Sequence, residues 1–259
     1  MTRSASASES RFRRQLPRVY ELKDPTDTSH PDAYFQDFER GLRENPSKLN
    51  AFLKLERQLA VLDVAAWNDL KERGVPHLIS HTRAQGRGWQ ELFDVFSEAR
   101  GFGYLVGSGC TGVHFIKRTN RMTPDLRALW NGAPALCEVK TINVSADEAA
   151  KRRRIANGET LAASVPSHVA DGFLTKLTAT LTHAVEQLDA EYPQRTARRL
   201  IFTVVHFDDW VGDYDPEYFA DIDEYLSRNP VYGAELVFCP ARNLFERTFT
   251  MRSATVLAE

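Results

Sequence analysis

The chain has no run of apolar residues long enough to cross a bilayer and no secretory signal pattern. Those absences argue against a membrane-spanning helix and set the expectation of a cytoplasmic protein. Cysteine is scarce too. Cys110, Cys137 and Cys239 are three in number, odd and widely spaced, which argues against a disulfide or zinc framework and for a reducing compartment. There is no excess of one charge sign either, the formal net charge being −2. A nucleic-acid footprint, if present, has to be local. The acids from Asp208 to Glu224 lack a glycine at the sharp turn of a calcium loop, so that motif is rejected.

What the chain does have is material for a full core, with 259 residues of which 42% are hydrophobic. Over residues 47 to 73, Phe52, Leu55, Leu59, Leu62, Ala66 and Leu70 recur at helical spacing, and Gly74 and Pro76 stop the pattern. The opening "MTRSASASESRFRR" has the Ser- and Arg-rich look of a transit peptide and is expected to be a disordered tail. The stretch "PHLISHTRAQGRG" looks like a join. The expected division is therefore residues 1–80, a tail and helical segment, and residues 81–259, a second domain.

That second domain contains a strong local signal. Asn131-Gly132 lies between segments of alternating polarity, and Asn-Gly suits the two positive-φ positions of a type I′ hairpin turn. Two antiparallel strands follow, about Thr123 to Trp130 and Ala133 to Ile142. With a two-residue loop, Trp130 faces Ala133, Arg127 faces Leu136, and Asp125 faces Glu138. A four-residue loop would slide Asp125 opposite Lys140 and keep the same faces. Side chains alternate, so Glu138 and Lys140 share one face, while Leu126, Ala128, Trp130, Ala135, Cys137 and Val139 share the other. The expectation is one apolar face and one that gathers charge.

Like charges facing each other across a sheet destabilise it unless something compensates, and the two obvious compensators are Lys140 and a divalent cation. Paired carboxylates are hard oxygen ligands that suit Mg²⁺ or Mn²⁺, which keep several waters and leave positions for phosphate oxygens. A lysine one pleat away could orient the attacking water or stabilise charge developing on phosphate.

Pro124-Asp125, a gap, and Glu138-Val139-Lys140 resemble the signature of the PD-(D/E)XK nuclease superfamily, which includes the restriction-endonuclease-like enzymes. The resemblance implies metal ligation by Asp125, Glu138 and the Val139 carbonyl, with Lys140 serving the nucleophilic water. It also implies a glutamate from a preceding helix beside the metal, for which Glu91 is the first match and Glu98 the second. Pro31-Asp32 and Glu21-Leu22-Lys23 repeat the two halves in the wrong order and without a strand pattern; they are decoys.

The neighbouring segments supply context. "GWQELFDVFSEAR" reads as a helix from about Trp89 to Arg100, with Gly101 as its stop, and "FGYLVGSGCTGVHFIKR" reads as two short strands about a glycine turn. "GSGCTG" fits a dinucleotide fingerprint only formally, because a strand pattern follows it where a helix is required. Lys151, Arg152, Arg153 and Arg154 form a basic run that could meet a phosphate backbone. Ser167 is expected to cap a helix to about Tyr192, with Leu174, Leu177, Leu181, Val185 and Leu188 inward. Lys176, Thr180, His183 and Gln187 are expected on the opposite side, facing solvent. A buried strand at about 199–207, a helix opened by Asp215 and Pro216, and two last strands complete the order.

The fold class expected is mixed α/β. The resemblance implies a restriction-endonuclease-like αβββαβ core, with N-terminal helices and a C-terminal αβ extension. The function it implies is a Mg²⁺- or Mn²⁺-dependent nuclease, a hydrolase acting first on DNA, with nucleic acid as partner, no membrane, and a homodimer as an open alternative. The competing reading is a non-catalytic module of the same fold that binds nucleic acid or protein.

Overall fold

The computed structural model describes residues 2–79, 89–117, 122–143, 150–151, 154, 159–160, 167–192, 196–206, 215–241 and 249–251. The chain divides into two compact units, Met1–Gly103 and Tyr104–Glu259.

Among its described residues the first unit is mainly helical: α1 (Thr2–Gln15), α2 (Pro17–Lys23), α3 (Phe38–Glu44), α4 (Pro46–Ala60), α5 (Val64–Gly74) and the start of α6 (Gln90–Gly107). The segment read as a tail is α1, and Phe12 near its C-terminal end and Leu16, just after it, are buried. The run at 47–73 is two helices. Asp63 interrupts it, accepting a hydrogen bond from Ala66 N at 2.8 Å and so capping α5. The decoy Glu21-Leu22-Lys23 lies in α2, where residues two apart do not share a face.

The helix α6 runs well beyond Gly101. Leu92, Val95, Phe96, Ala99, Phe102 and Leu105 are all buried along it, a stripe that continues past the glycine. Burial of Phe102 and Leu105 outweighs the roughly 1 kcal/mol per glycine that helix propensity costs. The two strands expected after Gly101 are thus the end of α6 and one strand, β1.

The second unit is built on a mixed open sheet in the order β1 (Thr111–Phe115), β2 (Leu126–Trp130), β3 (Ala133–Ile142), β4 (Arg198–Val205), β5 (Glu235–Pro240) and a short β6 (Phe249–Met251). β1, β2 and β3 are antiparallel neighbours, β3, β4 and β5 run parallel, and β6 returns antiparallel to β5. Helix α7 (Asp171–Glu191) connects β3 to β4, and α8 (Asp215–Arg228) connects β4 to β5, the crossovers that parallel strands require. The residue before α7 is Ala170, without a side-chain cap. Ser167 lies outside the helix, and Val169 N instead donates to Asp221 Oδ2 on α8 at 2.9 Å.

Both faces of the central strands are buried. Leu136, Ile142, Ile201, Val205, Leu236 and Phe238 pack with Leu177, Leu181, Ala184 and Leu188 of α7 and Tyr218, Phe219 and Ile222 of α8. On the other face lie Cys137, Val139, Leu200, Phe202 and Val204, with the Tyr104 ring 5.4 Å from that of Phe202. The face expected to gather charge carries Glu138 and Lys140, but it also carries the buried Leu136 and Ile142. Glu138 and Lys140 belong to a face that α7 covers, the usual condition of parallel strands flanked by crossover helices.

Candidate active site

The hairpin turn sets the geometry. Asn131 and Gly132 have φ of 50° and 80°, the signs a type I′ turn needs. The register is that of a two-residue loop, with Trp130 opposite Ala133, Arg127 opposite Leu136 and Leu126 opposite Cys137. One step further brings Asp125, just before β2, level with Glu138. Asp125 bonds the next residue of β3: Val139 N donates to Asp125 Oδ2 at 2.9 Å, and Asp125 O accepts from Ile116 N at 2.8 Å. Asp125 thus binds the main chain of the strand that carries Glu138.

Glu138 is 2% exposed. An ionised carboxylate at that depth needs a partner, and Lys140 supplies one: its Nζ lies 2.5 Å from Glu138 Oε1. The same Nζ donates to Gln187 Oε1 on α7 at 2.5 Å, and Gln187 Nε2 donates to Thr123 O at 3.4 Å. Glu138, Lys140 and Gln187 therefore form one connected polar group, with Asp125 bonded to the peptide of Val139 between Glu138 and Lys140. Behind it, burial first, then the charges of Asp125 and Glu138, push the Cys137 thiol well above its ordinary range. The thiol stays neutral.

Gln187 is the site residue that sequence reasoning assigned to solvent. The buried stripe of α7 is Leu177, Leu181, Ala184 and Leu188. Counting Ala184, which is small but apolar, turns the stripe's centre toward Gln187 and leaves that residue on the flank rather than the far side. Its position is fixed from both sides. Arg199, buried on β4, donates Nη2 to Val185 O at 3.1 Å and pairs with Asp189 Oδ1 at 2.9 Å. One turn later, Arg127 on β2 reaches Glu191 Oε1 at 2.5 Å.

Two of the remaining expected site residues belong to the N-terminal unit. Glu91 is exposed in the first turn of α6, within the N-terminal unit. Glu98 is buried in that unit and pairs with Arg73, so its charge serves an internal ion pair. Lys151 and Arg154 are exposed and helical, and Arg154 Nε donates to Glu159 Oε2 at 2.8 Å. Arg152 and Arg153 lie outside the described residues.

Among the described residues no three His, Cys, Asp or Glu side chains gather as a metal cluster. Two carboxylates beside strand carbonyls are what the site offers. That donor set fits Mg²⁺ or Mn²⁺, which accept few protein ligands, better than zinc. Comparison with protein-family models, curated proteins and solved structures returned no match.

Proposed function

We propose that this protein is a divalent-metal-dependent nuclease, acting on DNA, with its active centre at Asp125, Glu138 and Lys140. One observation carries the reading: a buried glutamate bonded to a lysine two residues on, beside an aspartate bonded to the peptide between them. A surface hairpin with incidental charges does not require any of these contacts. The element order around the hairpin, α6, β1, β2, β3, α7, β4, is also the αβββαβ order of a restriction-endonuclease-like core. It supports the same reading, with α8, β5 and β6 as the extension.

On this reading Asp125, Glu138 and the Val139 carbonyl would hold the cation, and the chemistry it would supply is Lewis-acid polarisation of a phosphoryl oxygen. The chain does the rest. Lys140, half-enclosed by sheet and helix, presents its ammonium where charge grows on the phosphate as water attacks phosphorus and the P–O ester bond breaks. Gln187 keeps the ammonium from swinging to solvent, and the apolar packing around the site strengthens each electrostatic contact. The exposed Lys151 and Arg154, shortly after β3, are available to backbone phosphates.

The test is incubation with circular and linear DNA in Mg²⁺, Mn²⁺ or EDTA. Metal-dependent nicking of the circle is the expected result. Binding without cleavage of any DNA or RNA would establish the binding module in its place.

A further inference from the structure

Thr203 is 0% exposed, and among the described residues its hydroxyl has no hydrogen-bond partner. Buried hydroxyls are nearly always paired, and valine would fill the same space without the penalty. Its place on β4 suggests a use. Thr203 is the register partner of Lys140 on the adjacent parallel strand, so the two side chains leave the same face of strands about 4.8 Å apart.

An ammonium has three donors, and Lys140 directs two of them to Glu138 Oε1 and Gln187 Oε1. A divalent cation and this ammonium compete for one carboxylate, and their repulsion at contact distance is strong in a buried site. Gln187 is a neutral acceptor on a helix clamped by Arg199 and Arg127, so it stays while the ammonium pivots. We infer that Thr203 Oγ1 is the acceptor that receives Lys140 when a divalent cation takes the Glu138 carboxylate, which makes Thr203 and Gln187 the positioning residues of the lysine. The inference rests on the metal-site reading. It explains a hydroxyl that contributes nothing to the fold without metal: its hydrogen bond forms only in the metal-bound state.

The test uses the full chain without nucleic acid, titrated with Mg²⁺ by calorimetry and thermal melting, in wild type, Thr203→Val and Thr203→Ser. Thr203→Val is expected to melt at or above wild type without metal, yet to bind Mg²⁺ about tenfold more weakly, the loss of one hydrogen bond to a charged group. Thr203→Ser restores the affinity. If valine does not fold, Thr203→Ala carries the same expectation. A valine variant with wild-type Mg²⁺ affinity overturns the inference and leaves the metal site standing. A wild type that binds no Mg²⁺ overturns both.

Discussion

Lys140 Nζ stands 2.5 Å from Glu138 Oε1, two residues back on the same strand, so the buried carboxylate already holds a cation of the chain's own. The lysine is therefore a structural counter-ion as well as a candidate catalyst. Removing one partner of a buried pair leaves the other uncompensated, at a cost of about 3–5 kcal/mol. Lys140→Met is expected to lower stability in urea by about that amount without metal, and Lys140→Met with Glu138→Gln to recover most of it. Additive losses in the double variant would show that the pair is not coupled.

Asp125 does two separable things. Its Oδ2 accepts from Val139 N at 2.9 Å, a role that asparagine's carbonyl oxygen can fill, and its charge attracts a cation, which asparagine cannot. Asp125→Asn should melt within a few degrees of wild type without metal but lose most of the Mg²⁺-induced shift. At a hundredfold excess over the dissociation constant, that shift corresponds to about 2.7 kcal/mol in wild type. Asp32→Asn, in the decoy Pro31-Asp32, is the control and should keep the full shift. A full shift in Asp125→Asn would remove Asp125 from the metal site.

The N-terminal unit makes its own pH-dependent claim. Glu56, buried on α4, accepts from Val19 N at 3.0 Å and Arg18 N at 3.2 Å, capping α2 from a distance. Burial is the largest influence on its carboxyl and outweighs those bonds and the Arg18 charge, so its pKa lies above the ordinary range. A folded pKa above the unfolded one means the group's contribution is fully present below the unfolded value of about 4.3. It is lost as pH rises through the folded value. Unfolding of wild type and Glu56→Gln from pH 4 to 7 should show a stability difference that favours wild type most at the acid end. A difference independent of pH would show that the carboxyl is not shifted.

Much of the site was legible because its determinants are local. Asn131-Gly132 calls for a hairpin turn, and of the two loop lengths left open the chain takes the two-residue one, whose register brings Asp125 level with Glu138. Two of the misreadings were local ones. At Gly101 the apolar stripe of α6 runs on through Phe102 and Leu105, and reading the glycine as a stop overlooked that continuation. The helical spacing of residues 47–73 likewise concealed Asp63, whose carboxylate starts a new helix.

Gln187 shows the boundary most clearly. Its period on α7 was readable, but whether a residue on the flank of an apolar stripe meets solvent or a lysine depends on which strand lies beneath it. Parallel pairing of β3 with β4, and Arg199 reaching α7 from β4, decide that. The alternation that puts Glu138 and Lys140 together is a two-residue property of the backbone, complete in the sequence. Their burial is not, because it comes from a helix about thirty residues away in sequence whose packing on the sheet is a sum of contacts no local pattern contains.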